Sequence, residues 1–163
     1  MSIFKRIFDF YLQASLHVAL SCWALVQLTQ CWFHLPNNSA VSGFAFFGTI
    51  VGYNFVKYDA LVRTQKRPTQ PKHQIIAALS LLAFVGAIYC FFQLQTRTQI
   101  SSLAVLFLTV LYTLPFFPNR KNARNWAGIK IYIVTICWLG VTLFFPVIDA
   151  QMPIQSDFYF FAA

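Results

Sequence analysis

Side chains able to do chemistry are few in this chain, and they gather at two places. The first is Asn54, Lys57 and Asp59, in the run Gly52-Tyr53-Asn54-Phe55-Val56-Lys57-Tyr58-Asp59 at the end of a long apolar stretch. An amide and an ammonium at this spacing suit a phosphate group, and Asp59 is a weak metal candidate beside them. They also admit a plain structural reading. Lys57 runs its stem along apolar surface to the interface, and Asp59 pairs with Arg63 one turn later in the acid-before-base order that suits a helix. Asn54 is harder to reduce to structure, because an amide inside an apolar span must find a partner.

The second place is Arg120, Lys121, Arg124 and Lys130. Arg124 and Lys130 crowd the expected start of an apolar helix near Asn125 to Gly128, where cations oppose the helix dipole. A bound anion would justify them, since a helix N-terminus flanked by cations is a ready phosphate site. The other reading is topological: these cations hold their link on the inner side and touch lipid phosphates.

The elements that position these groups follow from composition. Of 163 residues, 58% are hydrophobic and only 10% are charged, too few for the surface of a soluble domain. There is no Glu, and the acids are Asp9, Asp59, Asp149 and Asp157. A net charge of +8 raises nucleic acid as a partner. The bilayer is the better one, because every Lys and Arg except Arg97 lies at the chain start or at the ends and links of alternate apolar stretches.

Apolar spans are expected over 13–33, 41–62, 74–94, 99–117 and 127–147, each near the roughly 20 residues that cross a bilayer. Ahead of them, Ile3, Phe4, Ile7, Phe8 and Tyr11 fall on one helical face, which predicts a short interfacial helix. The fold class expected is therefore all-α: a multi-pass transmembrane bundle of five spans plus an N-terminal interfacial helix. The basic links place the N-terminus in the cytoplasm. Residues 1–163 read as one domain, and its end has two readings. Ser156-Asp157 ahead of Phe158-Tyr159-Phe160-Phe161 is the start of a sixth helix, in which case the chain is the front of a longer protein, or the segment is an aromatic tail lying in the membrane interface.

Lesser features have simple readings. Gly48-x-x-x-Gly52 lets another helix approach closely, which puts its helix at the centre of the bundle. Cys22, Cys31, Cys90 and Cys137 read as small apolar packers, with a Cys31–Cys90 disulfide open. His17, with Ser21 a turn later, reads as a hydrogen-bonded packing residue, and Asn37-Asn38-Ser39 fits a glycosylation sequon within a very short outer link.

Together these pieces resemble the UbiA superfamily of intramembrane prenyltransferases, in a divergent bacterial branch. The resemblance is carried by Gly52 to Tyr58, and by Tyr112-Thr113-Leu114-Pro115 through Arg124-Asn125-Trp126-Ala127-Gly128-Ile129-Lys130. It covers nearly all of the chain, as the front half of a nine-span protein. It implies a prenyltransferase, moving an isoprenyl chain from its diphosphate to an acceptor, with the diphosphate near Asn54, Lys57, Arg120, Lys121, Arg124 and Lys130. It also implies Mg2+ held by aspartates, but the family's three aspartate positions fall here on Phe55, Tyr58 and Val62, with Asp59 one residue out of step. The alternative expectation is a non-catalytic membrane protein that binds a polyprenyl lipid or partner helices. A piece of a transporter would need a continuous polar path along the spans, which the sequence does not provide.

Overall fold

The computed structural model describes the backbone of residues 3–64, 71–113 and 128–151, and side-chain packing within these except at 58–64, 71–73, 112, 129 and 130. Among the described residues the chain is helical, with no strand. The order is α1 (Ile3–Gln13), α2 (Leu16–Trp32), α3 (Ser39–Thr64), α4 (Pro71–Gln93), α5 (Thr96–Thr113), α6 (Ile129–Leu139), a π-helical turn (Gly140–Phe144) and α7 (Phe145–Asp149). The last three form one continuous rod.

Three segments are long and apolar enough to cross a membrane: Ser39–Lys57, Gln74–Gln93 and Ile131–Asp149. The pair α1–α2 qualifies jointly but is bent by 61°, and the apolar part of α5, Thr96–Leu111, is shorter. The count is thus three to four candidate crossings. Leu82 is 71% exposed, Ile131 70% and Phe107 66%, a perimeter that belongs in lipid rather than water.

The break between α1 and α2 is a buried elbow. Ser15 adopts φ 59°, the left-handed region, which ends one helix and redirects the next. Ala14 and Ser15 are both buried there. At the far end of α2, His34 takes φ 51°, its N–H donates to the Cys31 carbonyl, and the Leu35 N–H reaches back to the Gln30 carbonyl at 2.8 Å. This is a Schellman cap built on His instead of the usual Gly, with Pro36 following to prevent continuation.

The last rod carries its own irregularity for a covalent reason. Pro146 has no N–H, so the carbonyl of Thr142, four residues earlier, loses its helical donor. The rod relaxes through the π-helical turn, and Thr29 of α2 supplies the missing proton. Its hydroxyl lies 2.8 Å from the Thr142 carbonyl and 3.0 Å from its own Leu25 carbonyl. One side chain thus repairs the break and ties α2 to the last rod.

Small residues set the helix spacing. Helix α3 is central, packing chiefly on α4 and α2 and also touching α5 and α7. The glycines that permit close approach are not Gly48 and Gly52: a Cβ at either would meet no described atom within 4 Å. Gly43 and Gly86 do this work on α3 and α4, where an added Cβ would come within 2.9 Å of Cys90 Sγ and 3.0 Å of the Phe47 ring. The main core joins Cys22 and Val26 of α2, Ala40, Val41 and Ala45 of α3, Leu94, and Phe145 of α7. All four cysteines are free thiols, with Cys90 buried and Cys31 exposed.

Candidate functional site

Asn54 is 2% exposed, inside the α3 crossing. Its Nδ2 donates to Ser80 Oγ of α4 at 2.9 Å, and Ser80 Oγ donates to the Ile76 carbonyl at 2.8 Å. The partner that an intramembrane amide requires is therefore found inside the chain. Its Oδ1 is buried and accepts no hydrogen bond.

Lys57, one turn nearer the end of α3, is exposed, and its Nζ donates to the carbonyl of Gln13, the last residue of α1, at 3.0 Å. A cation on the final carbonyls of a helix is favourably placed against its dipole, so Lys57 straps α1 to the bundle.

Helix register separates the two sequence-predicted groups in depth. Trp138 Nε1 donates to Tyr53 Oη at 3.1 Å, which aligns α6 with α3. At 1.5 Å per residue, Lys130 then lies about 12 Å further toward the α1 end than Trp138, and Lys57 about 6 Å further than Tyr53. Lys130 stands in the first turn of α6, just after Gly128 at φ 85°. The side chains of Asp59 and Lys130 lie outside the described residues, as do Arg120, Lys121 and Arg124 entirely. Asn54 and Lys57 are thus the two members of the predicted set whose side chains are seen, and each has an intramolecular partner.

His17 and Ser21 are arranged differently from the sequence reading. The Ser21 hydroxyl donates to the His17 backbone carbonyl at 2.9 Å rather than to the ring. The imidazole lies against Tyr11, with ring centroids 5.8 Å apart, and its Nδ1 is buried without a partner.

The best-organised polar cluster is at the opposite end, and sequence reasoning missed it. Asp149, the last residue of α7, is 7% exposed. Its Oδ2 accepts from Asn38 Nδ2 at 2.6 Å and its Oδ1 from the Gln95 N–H at 2.9 Å. Asn38 also caps α3, its Oδ1 accepting from the Ala40 N–H at 2.9 Å, while the Gln95 carbonyl opens α5 by accepting from the Gln99 N–H. One carboxylate therefore faces the N-terminal ends of two helices, where negative charge is favoured. It joins the α2–α3 link, the α4–α5 link and the end of the last rod. Gln30 Nε2 adds a longer bond to the Asn38 carbonyl, and Gln27 Nε2 one to Ser42 Oγ at 2.7 Å. The available signal was Asp149 itself, an acid just after an apolar run, and Asn38 two residues before Ala40 in the capping position.

No three His, Cys, Asp or Glu side chains among the described residues converge as a metal site. Comparison with family models, with curated proteins and with solved structures found no match.

Proposed function

We propose that this chain is a polytopic membrane protein that holds a polyprenyl-type lipid among its helices without transferring it. The reading includes five crossings, with α5 as a short one and the α1–α2 pair contributing another. It also includes an interfacial α1 and a cytoplasmic N-terminus in a bacterial inner membrane. The uncovered apolar residues Ile3, Phe4, Ile7 and Phe8 support the interfacial role of α1. The basic links support the orientation.

The observation that carries the choice is the engagement of Asn54 and Lys57 within the chain. These bonds take one of the two Asn54 amide protons and one of the three on the Lys57 ammonium. Both side chains tie helices together, however, Asn54 to α4 and Lys57 to α1, and they do not converge on a common anion position. Prenyl transfer, which the resemblance implies, then rests on Arg120, Lys121 and Arg124 and on carboxylates able to hold Mg2+. Around Asn54 the sequence offers Asp59 alone for that task.

Two experiments test the reading. With the purified chain in nanodiscs, isoprenoid binding is expected to strengthen with tail length and to be unchanged by a chelator. Binding lost on chelation, or Mg2+-dependent release of diphosphate, overturns it in favour of the transferase. Orientation is read from Cys31, exposed near the Asp149 end. An impermeant maleimide is expected to label it in spheroplasts from outside; labelling only in inverted vesicles reverses the topology.

A further inference from the structure

The orientation of the Asn54 amide is fixed by its neighbour. The Ser80 hydroxyl proton is committed to the Ile76 carbonyl at 2.8 Å, so Ser80 Oγ can only accept from Asn54, and Nδ2 must face it. Oδ1 is left as a buried acceptor with no donor, a costly state within an apolar span.

Candidate donors differ in what the surroundings tolerate. The neighbours one turn away, Ile50 beside Asn54 and Ile76 beside Ser80, are buried aliphatics. A buried water makes about three hydrogen bonds. Besides Asn54, the unpaired buried atoms among the described residues are His17 Nδ1 at the elbow, and Gln30 Oε1 and Thr98 Oγ1 toward the Asp149 end. Oδ1 is the one buried polar side-chain atom near Asn54 without a partner among the described residues, so a water there is short of the bonds it needs. An ammonium would bring an unpaired charge into the span, and an ionised phosphate has no proton to give. A hydroxyl on an apolar chain supplies one donor and carries its own apolar body. Asn54 lies about 22 Å along α3 from Ser39 and one turn, about 4.5 Å, before Lys57 at the end of the crossing. The Lys57 cation there disfavours a second cation beside it, while a neutral head bears no such cost.

We infer that Asn54 Oδ1 is the anchor for the hydroxyl of an uncharged lipid alcohol. The inference rests on the lipid-holding reading above and names the ligand class of that site. It moves Asn54 out of any phosphate-binding set.

The test uses the full chain in phosphatidylcholine nanodiscs with three C20 isoprenoid probes: the free alcohol, its methyl ether and its diphosphate. The wild type is expected to bind the alcohol at least tenfold, roughly, more tightly than the ether, which lacks the donor. Asn54→Leu is expected to bind the two equally. Its fold is expected to survive, because Ser80 keeps its bond to Ile76; a melting temperature within a few degrees of wild type checks this. Ser80→Ala, which frees Nδ2 and leaves Oδ1 in place, is expected to keep the alcohol preference and serves if Asn54→Leu does not fold. Equal binding of alcohol and ether by the wild type sinks the hydroxyl anchor while leaving the lipid-holding reading intact. Absence of binding by any probe overturns both. A preference for the diphosphate overturns the inference and restores the phosphate site.

Discussion

Asp149→Ala lowers the unfolding free energy by about 3 kcal/mol, measured by SDS titration in detergent micelles. The estimate follows from what the carboxylate holds. Two hydrogen bonds to a charged acceptor are worth roughly 1.5–3 kcal/mol each before relaxation. Alanine leaves Asn38 Nδ2 and the Gln95 N–H without an acceptor at an otherwise buried junction. The loss is spread over three elements, because the α2–α3 link, the α5 start and the end of α7 meet at this group. Asp149→Asn falls between, at about half the cost. Its amide oxygen can accept one of the two bonds, but its amino group then confronts the second donor. Asn38 cannot relieve that clash by turning over, since its own Oδ1 is occupied by the Ala40 N–H. The ordering wild type, Asn, Ala is the signature of a shared acceptor. An Asp149→Ala protein within about 0.5 kcal/mol of wild type would show the junction to be ornamental.

Helices were more legible in this sequence than contacts, for identifiable reasons. The runs that became α3, α4 and the last rod are apolar over a bilayer's length, a signal summed over many residues that no single contact can reverse. The elbow at Ser15 was not legible: nothing in Ala14-Ser15 marks a left-handed residue, and its position depends on how α1 is strapped by Lys57. For the same reason the expected crossing at 13–33 begins later, with α2 at Leu16. Asn54 was recognised as needing a partner, yet the identity of that partner depends on the register of α4 against α3. Ser80 has no feature that marks it in sequence. Asp149 and Asn38 lie far apart in sequence and were read separately, as an outward acid and as part of a sequon. Their meeting is a property of the up-and-down order, which brings alternate links to one end.

That order also gives the two ends different characters. Among the described residues, the Asp149 carboxylate, the Asn38 and Gln30 side chains and the Gln95 N–H meet at one end, while toward the other Lys57 reaches Gln13, Asn54 reaches Ser80 and Trp138 reaches Tyr53 as separate pairs.

Gly43→Val lowers stability by about 3 kcal/mol, and Gly43→Ala by about 1–2. The cause is a single close approach: a Cβ on Gly43 falls 2.9 Å from Cys90 Sγ. Cys90 is buried on α4 at the most extensively packed pair of helices, and a thiol on one rotatable bond has little room to withdraw. Valine adds two methyl groups to the same collision. If the sulfur is the obstacle, Cys90→Ala relieves it, and the double variant Gly43→Ala/Cys90→Ala recovers most of the loss as a coupling energy in a double-mutant cycle. The GxxxG pair supplies the contrast. Gly48→Ala and Gly52→Ala meet no described atom within 4 Å, so they are neutral or stabilise by up to about 0.5–1 kcal/mol through the better helix propensity of alanine. A sequence motif alone would rank the three glycines the other way, with Gly48 and Gly52 the sensitive ones. Measured unfolding free energies in monodisperse detergent decide between the rankings: a Gly48→Ala loss exceeding that of Gly43→Ala would place the tight helix contact on the face where the geometry leaves open space.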